Sequence, residues 1–306
     1  MSETPVAPTP DTDNPSNSER LRALGEVDST AETVLTRRGA GSVVRPNVVL
    51  SCGHYTNVGR RRKQNQDSLL TMQAVKVNLS NSVPLGLYVV ADGMGGQAAG
   101  EIASGLVVST VARHAQANLF SRFADNDLTE SDIVEWLKAV VEAANLAVLQ
   151  ERTNQKNDMG STLVMAVVKN ATAYLAHVGD SRAYRLDTDG ELERLTLDHS
   201  LVEQLVLAKQ ISAAEARTHK RRNIVYRTMG EKENIEIEAR SVDLSPGDRL
   251  ILCSDGLNSM IEDGHIAAVV RESTSLVDAA RRLVEAANEA GGEDNITAVV
   301  AEVTSL

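Results

Sequence analysis

The chain has 306 residues, 42% of them hydrophobic and 24% charged, a soluble globular composition able to bury one large core or two ordinary ones. A formal net charge of -11 sets a field that repels nucleic acid and anionic membrane, and aromatics at 3% leave few rings to stack on bases. Two cysteines, Cys52 and Cys253, form no metal-type spacing and no disulfide framework, and no apolar run nears the roughly 18 residues that span a bilayer.

Residues 1–45 are rich in Ser, Thr, Pro, Asp and Glu with little apolar periodicity, the composition of a disordered tail rather than a signal peptide. Residues 46–306 are expected to form one folded domain in a reduced, cytoplasmic setting. The first strand is expected near Val48 and a second at Ser68. Between them stands Arg60-Arg61-Arg62-Lys63, closing on Asn65-Gln66-Asp67. A bare basic run is usually a solvated loop. On an acidic chain, leading into a carboxylate, it fits anion recognition, an arginine gripping two phosphate oxygens in a fork.

The apolar run Leu87-Tyr88-Val89-Val90-Ala91 stops at Asp92 and breaks into Gly93-Met94-Gly95-Gly96. Helices follow over residues 98–119 and 131–152, the second carrying Ile133, Trp136, Leu137, Val140, Val141, Ala144 and Val148 at helical spacing. Strands over 161–168 and 171–178 flank the turn signal Lys169-Asn170, and 182–186 returns through Asp187–Gly190 into 191–195. Hairpin after hairpin predicts antiparallel sheet. Residues 196–230 then read as short amphipathic helices with a basic knot, His219-Lys220-Arg221-Arg222, and a capping box, Ser212 with Glu215. Such an insertion between strands fits a flap beside an active site. Strands at 235–242 and 248–253, helices at 263–270 and 275–290, and a last strand at 296–303 complete the chain.

An Asp-Gly pair alone is most simply a turn. Here the same event recurs: Asp92, Asp180, Asp255 and Asp294 each sit at the edge of an apolar strand, from four distant parts of the chain. Buried carboxylates are costly without a compensating cation, so their convergence on one site is the economical reading. Oxygen ligands without histidine or cysteine at ligand spacing favour magnesium or manganese, and several carboxylates in one place favour more than one ion. The chemistry this predicts is metal-activated water attacking phosphorus. A nuclease is the competing two-metal hydrolase, disfavoured by the acidic balance and the lack of a basic groove.

Ala91-Asp92-Gly93-Met94-Gly95-Gly96, Gly160-Ser161-Thr162, Gly179-Asp180-Ser181-Arg182, Ser254-Asp255-Gly256-Leu257 and Asp294-Asn295-Ile296-Thr297 resemble, in order, the motifs of the metal-dependent, type 2C serine/threonine protein phosphatases. The stretch from Arg62 to Asp67 resembles the opening motif of the bacterial form. The resemblance implies an α+β fold, an α-β-β-α sandwich of two antiparallel sheets flanked by helices. It implies hydrolysis of phosphoserine and phosphothreonine in proteins by a metal-bridging water, opposing Ser/Thr kinases, with phosphorylated proteins as partners. Carried over by position, Asp92 bridges two core Mn2+ or Mg2+ ions, the Gly93 carbonyl binds the second, Asp255 and Asp294 bind the first, and Asp67 supports the cluster through water. Asp180 with Asp255 matches a weaker third ion, and Arg62 matches the phosphate-binding arginine. A monomer that binds neither nucleic acid nor membrane is expected.

The chain departs from the family at two positions. Histidines found after the Asp-Gly or the Gly-Gly pair in various members are replaced by Met94 and Gln97, which leaves leaving-group protonation to metal-bound water. His54, His177 and His199 are candidates for that role, each more often structural. The departures keep open an alternative, a catalytically weak pseudophosphatase that binds phosphoproteins.

Overall fold

The computed structural model describes residues 47–78, 81–96 and 98–306, so the expected tail at 1–45 and Gln97 lie outside the described residues. The elements in chain order are β1 (Val48–Asn57), β2 (Asp67–Asn78), β3 (Asn81–Met94), α1 (Ala99–His114), α2 (Ser121–Ala124), α3 (Glu130–Gln155), β4 (Gly160–Ser161), β5 (Leu163–Lys169), β6 (Thr172–Val178), β7 (Arg182–Leu186) and β8 (Leu192–Arg194). There follow α4 (Leu201–Leu207), α5 (Ala213–Thr218), β9 (Glu238–Asp243), β10 (Arg249–Cys253), α6 (Asp255–Asn258), α7 (Asp263–Glu272), α8 (Leu276–Glu289) and β11 (Ile296–Ser305).

Strand alternation builds the layers, because successive side chains leave a strand on opposite faces. On β3, Leu87, Val89 and Ala91 point to a core shared with α1 and α3, while Tyr88 and Val90 point to a second core. On β11, Ile296, Ala298 and Val300 join a core shared with α7 and α8, while Val299, Ala301 and Val303 join the same second core as Tyr88. That second core is therefore the seam between two sheets, and helices cover both outer faces. One sheet runs β1-β11-β10-β7-β8; the other runs β2-β3-β5-β6-β9, with the short β4 paired to β3. Every pairing is antiparallel. The expected α-β-β-α sandwich is the observed one.

Two expected elements differ in extent. The helix expected to end at 119 continues through a π-helical turn, Ala115–Phe120, into α2, where Leu119 and Phe123 bury against the helical core. The strand expected over 235–242 begins only at Glu238, the first residue with a partner on β6, His177; Ile235 and Ile237 instead pack toward the helical core. Trp136 is the buried anchor expected, its indole N–H directed to the His114 carbonyl at 3.4 Å. The capping box of Ser212 and Glu215 forms in both directions.

Candidate metal centre and active site

The centre is assembled where β2, β3 and the strand-ending loops of both sheets meet. β2 and β3 are in a register that sets Asp67 directly opposite Asp92. The backbone of Asp92 is clamped by the Gly160-Ser161-Thr162 motif. Its N–H donates to Thr162 Oγ1 at 3.0 Å, while its carbonyl accepts from the Thr162 N–H at 2.8 Å and from Ser161 Oγ at 3.1 Å. A Cβ on Gly93 would stand 2.0 Å from the Gly100 carbonyl oxygen, so the close approach of β3 to the start of α1 requires glycine there.

Asp67 is fixed by two hydroxyls: its Oδ2 accepts from Ser254 Oγ and from Thr297 Oγ1, each at 2.7 Å. Its Oδ1, like Oδ1 of Asp255, is enclosed and has no hydrogen-bond partner among the described residues. Asp180 is buried at the turn between β6 and β7, where Gly179 takes a φ of 109° that favours glycine. Asp294 stands at the rim, and Arg62 donates to its Oδ2 at 2.6 Å.

The electrostatics agree with convergence. Burial pushes the Asp92 carboxyl well above the ordinary range, and the charges of Asp67, Asp255, Asp180 and Asp294 push it further. Burial likewise raises Asp67 to about 7, against the hydrogen bonds from Thr297 and Ser254 that favour its ionised form. Asp255 is raised to about 6, chiefly by burial and then by Asp294. Burial followed by the charges of Asp255 and Asp198 raises Asp180. Carboxylates this crowded, with two enclosed oxygens lacking any donor, suit divalent cations: the donor set is all oxygen, and bound charge would offset the desolvation.

The structure thus brings together every residue predicted for the metal site, with Arg62 at its edge. It does not bring the histidines there. His54 is exposed on β1. Ring nitrogens of His177 and His199 and a carboxylate oxygen of Glu238 lie within 4.8 Å of one another, which invites a metal reading. However, His199 Nδ1 accepts the Gly179 N–H at 3.0 Å, which leaves the ring proton on Nε2, 3.1 Å from Glu238 Oε1. A cation would have to displace that Nε2 proton, and the Arg227 guanidinium already stands beside it, Nη1 at 2.9 Å. Burial pushes the His199 imidazole below its ordinary value, against the hydrogen bond with Glu238. His199 and Glu238 form a hydrogen-bonded strut between the flap segment and β9, against which the His177 ring of β6 packs at 4.7 Å between centroids, its own nitrogens without a hydrogen-bond partner among the described residues.

Four positioning residues were given no individual role by the sequence reading: Thr162, Ser254, Thr297 and Asn295. Asn295 accepts the Gln66 N–H at 2.7 Å and donates to the Val58 and Gln64 carbonyls, each at 2.9 Å, so it staples the basic loop to the metal loop. The available signal was composition: Ser254 and Asn295 stand directly beside Asp255 and Asp294 in their motifs.

A cleft of about 520 Å³ opens from Asp180 and Asp255 toward the flap segment, lined by Asn258 on one side and by Arg217, Arg222 and Asn223 on the other. The flap root is pinned by a buried ion pair, Arg182 to Asp198, with Nη2 to Oδ2 at 2.6 Å and Nε bridging both carboxylate oxygens.

The protein phosphatase 2C family matches residues 59–300. The serine/threonine phosphatase stp of Listeria innocua is 33% identical over 249 residues, covering 81% of this chain and 93% of that protein. The structure of the Streptococcus agalactiae (S. agalactiae) serine/threonine phosphatase superposes with a TM-score of 0.70 at 32% identity, covering 83% of this chain and 99% of that one. The catalytic domain of the serine/threonine protein phosphatase PstP, solved with two manganese ions, gives 0.69 at 32% identity, covering 84% and 100%. This chain belongs to the protein phosphatase 2C family. It is a protein phosphatase of the serine/threonine class that its motifs resemble. Among the described residues no helix is long and apolar enough to cross a membrane.

Proposed function

We propose that the chain removes phosphate from phosphoserine and phosphothreonine in proteins phosphorylated by Ser/Thr kinases, at a centre of two core Mn2+ or Mg2+ ions and a weaker third. The observation that carries this reading is the crowding of Asp67, Asp92, Asp180 and Asp255 into one desolvated cluster with unpartnered oxygens on Asp67 and Asp255. In that reading Asp92, the Gly93 carbonyl, Asp255 and Asp294 would hold the two core ions, with Asp67 supporting them, and Asp180 with Asp255 would hold the third. Divalent cations supply, when bound, an acidified water near neutral pH and neutralisation of phosphoryl charge.

The chain's own residues do the rest. Arg62, freed from Asp294, offers its guanidinium fork to phosphate oxygens and orients the phosphorus toward the carboxylate cluster. Ser254 and Thr297 orient Asp67 and favour its ionised form, and Thr162 fixes the backbone from which Asp92 projects. Met94 offers no proton to the leaving oxygen, which draws it from water. We read the chain as a cytoplasmic monomer, a setting in which Cys52 and Cys253 stay free.

Phosphate release from a phosphothreonine peptide, measured with manganese, with magnesium and with chelator for wild type and Asp92→Ala, tests the proposal. Metal-dependent turnover that vanishes in the variant is expected. Turnover in chelator, or from a folded Asp92→Ala protein, would overturn it.

A further inference from the structure

Two basic segments far apart in sequence, Arg60-Arg61-Arg62-Lys63 between β1 and β2 and Lys220-Arg221-Arg222 after α5, meet on one short loop, residues 291–294. The N–H groups of Arg60 and Arg61 both donate to the Gly292 carbonyl, at 2.7 and 3.2 Å, and Arg62 pairs with Asp294. From the other side Arg222 pairs with Glu293 at 2.6 Å. The fit is tight: a Cβ on Gly59 would stand 2.1 Å from the Asp294 carbonyl oxygen.

Pairing with Asp294 and Glu293 neutralises only Arg62 and Arg222. Arg60, Arg61, Lys63, Lys220 and Arg221 remain exposed, with no ion pair among the described residues. Elsewhere the chain neutralises most of its arginines, as in Arg182 with Asp198, Arg194 with Glu203, Arg217 with Glu262 and Arg227 with Glu236. A protein of net charge -11 therefore keeps an uncompensated cationic face in one place, beside the arginine assigned to phosphate.

We infer that this face binds acidic residues of the substrate, carboxylate side chains flanking the phosphoserine or phosphothreonine whose phosphate occupies the site. The inference rests on the phosphatase reading of Arg62 and the carboxylate cluster. Charge complementarity selects the occupant. A substrate already held by its phosphate brings adjacent side chains within a Debye length of the five cations, about 8 Å at physiological salt. Because these pairs form at an exposed surface, their effect is salt-sensitive and falls mainly on KM.

The test uses the full chain with manganese and three phosphothreonine peptides of equal length, flanked by Glu, by Gln or by Lys, with p-nitrophenyl phosphate as a substrate that has no flank. Expected is a kcat/KM for the Glu peptide about tenfold above the Gln peptide, lowest for the Lys peptide, with the difference shrinking in 0.5 M salt (a chosen condition of roughly 3–5 Å screening length). The variants Arg60→Gln/Arg61→Gln/Lys63→Gln and Lys220→Gln/Arg221→Gln should each erode the preference through KM and leave p-nitrophenyl phosphate turnover unchanged. Equal kcat/KM for the three peptides, or a preference that survives both variants together, would overturn the inference while leaving the phosphatase reading intact. Loss of all four substrates' turnover in the wild type would instead strike that reading.

Discussion

Asp67 and Asp92 face each other across the β2–β3 pair, two carboxylates in direct register at the end of a buried sheet. Like charges opposite one another on neighbouring strands are destabilising, and burial adds to the cost. The arrangement makes the metal-free protein pay for its site in stability. Burial raises the folded-state values of Asp67, to about 7, and of Asp255, to about 6, above the ordinary carboxylate range. A folded state that binds more protons than the unfolded one loses stability as pH rises through that window. The metal-free protein should therefore show a falling Tm between about pH 4 and 7 from this cluster, and added manganese should raise Tm more at pH 7.5 than at pH 5. Calorimetry with and without chelator checks both. A metal effect larger at pH 5 would contradict the assignment of these carboxylates.

Arg62 is half exposed and its one charged partner among the described residues is Asp294. Arg62→Ala should raise KM for a phosphopeptide by roughly tenfold or more, the worth of a charge-assisted hydrogen bond, with a smaller change in kcat. Steady-state kinetics separate the two parameters. Unchanged kinetics would return the arginine to a solvated loop.

Thr297→Val keeps shape and removes one of the two hydroxyls on Asp67 Oδ2. Those hydrogen bonds favour the carboxylate, so their loss raises the Asp67 value further. The pH at which manganese affinity is half lost should move upward by about one unit, with the fold unchanged. Titration calorimetry across pH 5–8 measures the shift, and no movement would mean that Asp67 does not meet the ions.

The Arg182–Asp198 pair is buried on both sides, with side-chain exposures of 16% and 6%. Asp198→Ala leaves the largely buried guanidinium with only the 3.9 Å contact to the exposed Asp263 and should cost about 3 kcal/mol. Arg182→Met with Asp198→Leu should recover much of that loss, because the unpaired charge is gone. Denaturant unfolding of the single and double variants compares them. The double variant should still disturb the flap root, which a phosphopeptide KM would report.

Much of the site was written in the chain because each carboxylate marks the end of its own strand, and strand ends are a local property. Asp92, Asp180, Asp255 and Asp294 could be picked out by alternation and glycine alone, and the antiparallel order followed from consecutive hairpins. The layers followed only from the family resemblance of the motifs; the structure gives their physical basis, β3 and β11 being apolar on both faces so that each serves two cores. Which hydroxyl holds which carboxylate was not legible. Ser254 and Thr297 reach Asp67 only because β10 and β11 are neighbours in one sheet and that sheet packs on β2 in the other.

The histidine strut and the cationic face were decided at the tertiary level too. His177, His199 and Glu238 come from β6, the flap segment and β9, and the tautomer of His199 depends on the Gly179 N–H in a turn 20 residues away in sequence. The two basic runs were visible as composition, the first fitting anion recognition and the second lying in the expected flap. Only Gly292, Glu293 and Asp294 bring them to one place, because a short loop with three successive anchoring groups can hold two distant segments that share no sequence signal. Local periodicity determined the strands, the helices and the ends that carry charge; side-chain partnership depended on how those ends were stacked.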